Sequence, residues 1–199
     1  MTATLVLASG SATRAALLEN VGVDIRVAPA RIDEETIVAS MSAAGAAADE
    51  VADALAEAKA ARISARNPET IVLGCDQVLL LDGQVLRKAE TSNEGRSQLR
   101  LLSGRSHQLF SAAVIYVDGR PQWRFTGRVQ LTMKTLSDVY IDDYLRRNWD
   151  EVRHAVGCYH LEGEGARLFR RVEGDYFHVM GLPLLELLDH LTTSGVLAI

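Results

Sequence analysis

The sequence predicts an α/β fold built on a mixed β-sheet, and three observations carry that prediction. Apolar runs of strand length alternate along the chain with segments of helical periodicity. Two hairpin signals, Asp82-Gly83 and Asp118-Gly119-Arg120-Pro121, fall between strand candidates, so some neighbouring strands run antiparallel. The remaining strand candidates are separated by helices, as parallel neighbours require.

Thr4 to Ala8 reads as a short strand that ends in the small-residue turn Ser9-Gly10-Ser11. Ala15, Leu17, Leu18 and Val21 then recur at helical spacing, with Ser11 as N-cap and Gly22 past the end. Val23 to Ala28 is a second strand, broken by Pro29. Arg31 to Ser42 has no clean periodicity and carries Asp33, Glu34 and Glu35 together, so it reads as a functional loop or short irregular turn. Asp49 to Ala65 is an Ala-rich amphipathic helix ended by Asn67-Pro68.

Ile71 to Leu81 is almost wholly apolar and suits a central strand covered on both faces, with Gln84 to Arg87 folded back on it. Thr91 and Glu94 form a capping-box pattern that starts a helix running to Leu102 and stopping at Gly104. Strands follow at His107 to Val117 and Gln122 to Leu136, then a helix from Ser137 to about Asn148. The last part predicts short strands near Gly157 to Leu161, Ala166 to Val172 and Tyr176 to Val179. A helix over Leu182 to Leu191 closes the chain, with Pro183 in its first turn. No repeat or linker divides the 199 residues, so one domain, 1–199, is expected.

Hydrophobic residues make up 48% and charged residues 24%, a globular profile. The net charge of -5 argues against broad nucleic-acid or membrane-surface binding while permitting a basic pocket for a small anion. Cys75 and Cys158 lack the spacing of a zinc site or disulfide framework and read as core residues in a reducing compartment. The amino terminus carries no secretion pattern and no stretch is long enough to span a bilayer, so a cytoplasmic location is expected.

Familiar phosphate and nucleophile motifs are absent, and the five histidines show no zinc spacing. Chemistry must therefore come from charged groups at element ends. Ser9-Gly10-Ser11 puts hydroxyls and backbone N–H groups at a helix start, which suits phosphate, with Arg14 one turn in. The same residues also read as a plain cap and a solvated arginine. Asp76 interrupts an apolar strand, where an ionised carboxylate is costly unless paired. It is either a base or metal ligand, or a bulge residue accepting backbone N–H bonds. A tight Asp82-Gly83 turn would bring Lys88 near the level of Gln77 and Asp76. Glu34 and Lys59, taken alone, read as an acidic loop residue and a solvated helix residue.

Taken together, LASGSATRAALLENVGV, PARIDEE, LAEAKA, VLGCDQVLLLDGQVLRK, LLSGRSH and EGDYFHVMGLPLLEL resemble, in order, the motifs of the Maf nucleotide pyrophosphatases. The resemblance spans essentially the whole chain. It implies an elongated mixed-sheet fold similar to the inosine triphosphatases, often dimeric. It further implies a cytoplasmic enzyme that uses a divalent cation, Mg2+ or Mn2+, to hydrolyse nucleoside triphosphates to the monophosphate and pyrophosphate. By motif position it assigns substrate binding to Ser11, Arg14, Glu34, Lys59 and Lys88, the proton acceptor to Asp76, and metal binding to Glu34 and Asp76. The positions that separate substrate subgroups fall on Thr13, Gln77 and Glu162.

Asp76-Gln77 with Glu162-Gly163 resembles the subgroup acting on 7-methyl-GTP, whereas the dTTP and UTP subgroup has Asp-Thr and Gln-Gly. Two departures stand against that subgroup: Ala12-Thr13 replaces its Pro-Trp, and Lys88-Ala89 lacks the usual Pro. The resemblance also suggests a second kind of role, a nucleotide-binding regulator of septum formation and cell division.

Overall fold

The computed structural model describes residues 4–198. Among the described residues seven strands, β1 (Leu5–Leu7), β2 (Ile25–Val27), β3 (Ile71–Leu81), β4 (Gln84–Leu86), β5 (Ser106–Val117), β6 (Arg120–Met133) and β7 (Phe169–Glu173), hydrogen-bond in the order β2-β1-β3-β5-β6-β7, with β4 added on β3. Parallel pairing joins β1 (Leu5–Leu7) to β2 (Ile25–Val27) and to β3 (Ile71–Leu81), while β3 pairs antiparallel with β4 (Gln84–Leu86). The sheet is therefore mixed, as the interleaving predicts. Residue contacts divide the chain into two compact units: 1–77, 110–127 and 181–199 form the first, 78–109 and 128–180 the second. The long strands β3, β5 (Ser106–Val117) and β6 (Arg120–Met133) each contribute residues to both.

In the first unit, Leu5, Val6, Leu7, Val72 and Leu73 are buried, and helices α1 (Ala12–Asn20) and α3 (Ala48–Ser64) bury Leu17, Leu18, Val51, Leu55, Ala56 and Ala60. Helix α2 (Glu34–Ala43) replaces the loop expected over 31–42. Asp33 caps it, accepting the Thr36 backbone N–H at 3.0 Å, and Glu34 and Glu35 sit in the first turn where the helix dipole favours acids. None of its residues is buried, which is why no apolar period marks it. Helix α7 (Leu184–Thr193) completes this unit, with Pro183 at the N-cap, one place earlier than expected.

In the second unit a hydrophobic core gathers around Leu79, Leu99, Leu102, Leu131, Tyr144 and Leu168. Helices α4 (Ser92–Leu102) and α5 (Asp138–Val152) start at Thr91 and Ser137, both caps as expected. The Asp82-Gly83 turn has φ of 47° and 82°, the two left-handed residues of a tight hairpin.

Three late strands need correction. Over 157–161 there is no strand, because Gly157 and Cys158 both have left-handed φ, 81° and 56°. Residues 164–168 form a 3-10 turn, so strand β7 is confined to Phe169–Glu173. Tyr176–Val179 is a helical turn, α6, because the Asp175 carboxylate accepts the Phe177 N–H at 2.7 Å and draws the chain into a cap.

Candidate functional site

The sequence-predicted groups Ser11, Thr13, Arg14, Glu34, Lys59, Asp76 and Gln77 all lie in the first unit. Ser11 caps α1, its hydroxyl accepting the Arg14 backbone N–H at 3.3 Å. The Arg14 side chain turns inward rather than into solvent, and is buried. Its Nη1 donates to Ser9 Oγ and to the Cys75 carbonyl, both at 3.0 Å, and its Nε donates to the Gly181 carbonyl at 2.8 Å. Because Cys75 precedes Asp76 on β3, these bonds seat the guanidinium beside the strand that carries the acid.

Asp76 is buried, and a side chain meets its carboxylate. Its partner is Lys59, from α3: Nζ lies 2.5 Å from Asp76 Oδ1 and 2.6 Å from Glu34 Oε1. The cation expected on hairpin grounds was Lys88, whereas the one observed beside Asp76 comes from the helix. Pairing of β3 with β4 stops at Leu79↔Leu86, short of Lys88. Lys88 is exposed and belongs to the second unit. Glu162 is in that unit too, in an exposed turn, its Oε1 3.1 Å from His160 Nδ1. That neighbouring carboxylate raises the His160 pKa above its ordinary value.

Close to this pair, two residues before Asp76, α3 packs tightly against β3 at Gly74. A Cβ there would lie 2.1 Å from the Ala56 carbonyl oxygen and 2.7 Å from the Ala60 nitrogen. Helix α3 is also anchored to the sheet by side chains: Tyr116 Oη donates to Glu57 Oε1 at 2.7 Å, and Arg124 Nη1 donates to Asp53 Oδ2 at 2.5 Å. The Tyr116 bond is the main reason that the Glu57 pKa is lowered. Gln77 Nε2, next along β3, donates to Ser111 Oγ on β5 at 2.9 Å.

Sequence reasoning missed Gly74, Gly181 and Ser111. A glycine inside an apolar strand is itself a sign of close backbone approach, so Gly74 had a readable signal. The other two are remote in sequence and had none.

The Cys75 thiol is pushed up to about 11, chiefly by complete burial, so it stays neutral beside Asp76. Among the described residues no group of three or more His, Cys, Asp or Glu side chains could hold a metal. Glu34 and Asp76 nevertheless fit a hard divalent cation: two carboxylates already converge on one positive charge, and Mg2+ is commonly held by one or two carboxylates together with substrate phosphates. No helix among the described residues is long and apolar enough to cross a membrane.

Comparison with known proteins places this geometry in context. The family model described as Maf-like protein matches residues 4–194. A nucleoside triphosphate pyrophosphatase of Ruegeria pomeroyi is 51% identical over 197 residues, covering 99% of both chains. A protein of the same name from Ruegeria sp. (strain TM1040) is 49% identical, again over 99% of both. A 7-methyl-GTP pyrophosphatase of Mesorhizobium japonicum is 44% identical over 99% of both.

Proposed function

The chain belongs to the Maf family, and from that premise we propose that it is a nucleoside triphosphate pyrophosphatase. It cleaves the bond between the α- and β-phosphates, releasing the monophosphate and pyrophosphate. The observation that carries this reading is the buried Lys59 ammonium held between Asp76 and Glu34. Such a cluster supplies a base, a cation and a second carboxylate within a few ångströms, in the chain of a family whose relatives bear that activity as their name.

In this reading water attacks the α-phosphorus in line as pyrophosphate leaves, and Asp76 accepts the water's proton. Lys59 orients the Asp76 carboxylate through Oδ1, and its charge offsets negative charge gathering on the phosphates. Arg14, fixed by three oxygen partners, and the Ser11 helix start supply donors for phosphate oxygens. Lys88 adds a further cation to the binding of the triphosphate. Glu34 and Asp76 would hold a divalent Mg2+ or Mn2+ ion, which when bound polarises a phosphoryl oxygen and neutralises charge on the triphosphate.

Thr13, Gln77 and Glu162 select the base. We favour modified purines, 7-methyl-GTP among them, as the substrate class. The carboxylate of Glu162 suits a methylated guanine that carries positive charge and N–H donors. We place the reaction in the cytoplasm, where nucleoside triphosphates are made.

Incubation of the protein with Mg2+ and a panel of triphosphates, with separate detection of pyrophosphate and orthophosphate, tests the bond cleaved and the substrate together. Asp76→Asn should retain nucleotide binding while pyrophosphate release falls at least about 10²-fold, as for loss of a general base. Orthophosphate as the sole inorganic product, or undiminished turnover in Asp76→Asn, would overturn the assignment.

A further inference from the structure

We propose that Gly74 is a positioning residue of the reaction: by bringing the α3 backbone against β3, it sets the reach of Lys59 to Asp76. The mechanistic consequence rests on the pyrophosphatase reading above, but the positional claim stands on geometry alone.

Gly74 lies two residues before Asp76 on β3, and the helix atoms nearest to it, from Ala56 and Ala60, flank Lys59 on α3. The gap is too small for any other residue. A real Cβ in van der Waals contact needs about 3.4 Å or more, against 2.1 Å to the Ala56 oxygen, so the helix would have to withdraw by about 1 Å or more. The obstacle is main chain, which no rotamer change relieves.

Ala56 and Ala60 are fully buried and already have the smallest side chain, so the helix face opposite Gly74 has nothing left to shrink except to glycine. The ammonium contacts are short, 2.5 Å to Asp76 and 2.6 Å to Glu34, and the Lys59 side chain is only 9% exposed. Without re-extension of the Lys59 stem, a withdrawal of about 1 Å lengthens these contacts past the usual hydrogen-bond range, so the pair loses its hydrogen bonds. Anchors on the same helix, Glu57 to Tyr116 and Asp53 to Arg124, oppose a compensating tilt.

Gly74→Ala tests this. In the unaltered protein the Lys59 ammonium, shielded and doubly bonded, should give a slowly exchanging 1H–15N resonance, identified by its loss in Lys59→Gln. In Gly74→Ala that resonance is lost while the fold persists by circular dichroism. Pyrophosphate release should fall about 10²-fold in kcat/KM, the scale of an ångström-level misplacement. Lys59→Gln should then cost less than about 3-fold in the Gly74→Ala background, because the interaction it removes is already gone.

Ala60→Ser crowds the same contact from the helix side with one added atom and keeps the test open if Gly74→Ala does not fold; it should show the same losses to a smaller degree. A Lys59 resonance unchanged in Gly74→Ala, or in Ala60→Ser where that variant alone folds, would overturn the proposal. So would a Lys59→Gln penalty equal in both backgrounds. Were the unaltered protein to release no pyrophosphate, the functional reading would fail, while the resonance would still decide whether Gly74 positions Lys59.

Discussion

Replacing Lys59 by Met should separate the contributions of its two carboxylate partners. The substitution keeps an unbranched side chain of similar length in a helix that tolerates it, and removes only the ammonium. The Asp76 side chain is 11% exposed, so its charge is left with little water to replace the contact at 2.5 Å. Breaking a buried pair from one side costs about 3 to 5 kcal/mol, because the surviving charge stays desolvated. The contact to Glu34, whose side chain is 45% exposed, is worth about 1 kcal/mol or less after solvent screening.

For a chain of this length, about 2 to 4 °C per kcal/mol translates the Lys59→Met loss into a Tm lower by about 6 to 20 °C. Glu34→Gln should shift Tm by no more than about 4 °C on the same scale. Urea unfolding and calorimetry of the two variants and of Lys59→Met/Asp76→Leu would check the reasoning, since removing both charges should recover most of the loss. Equal, small shifts for Lys59→Met and Glu34→Gln would refute the claim that burial of Asp76 makes the pair matter.

Two other consequences concern different parts of the chain. Burial holds the His107 pKa down at about 4, against 6.5 when unfolded, so between those values the unfolded state binds more protons than the folded one. Stability from this group is complete above pH 6.5 and is lost as pH falls toward 4, by about 3 kcal/mol at most. His107→Gln should accordingly lose less stability than the unaltered protein between pH 7 and pH 4.5 in urea titrations, and parallel slopes would contradict the assignment. Ser111→Ala removes the acceptor of the Gln77 amide. It should cost about 1 kcal/mol of stability. If Gln77 selects the base, the kcat/KM ratio of 7-methyl-GTP to UTP should fall, with an unchanged ratio counting against that role.

The sequence by itself determined the elements whose signals are local. The spans of β3 and α4 match their expected limits, because a continuous apolar run and a Thr91 cap are read within a few residues. The Asp82-Gly83 turn is likewise local, and both residues adopt the left-handed φ that their types favour. Elements without such signals were misread. Helix α2 buries nothing and so shows no period, and the 157–161 and 176–179 segments are short enough that one cap or two left-handed residues overrule strand propensity.

For the site, sequence identified Asp76 as an acid in need of a partner, since the cost of burying an unpaired carboxylate is a property of the residue and its neighbours. Only the tertiary structure decided which partner. Lys59 is 17 residues away on an Ala-rich helix, where a lysine taken alone reads as solvated, and it reaches Asp76 because α3 and β3 meet at Gly74. The inward turn of Arg14 toward Cys75 and Gly181 was decided in the same way. Carbonyl acceptors brought from 61 and 167 residues away leave no local trace in composition or spacing.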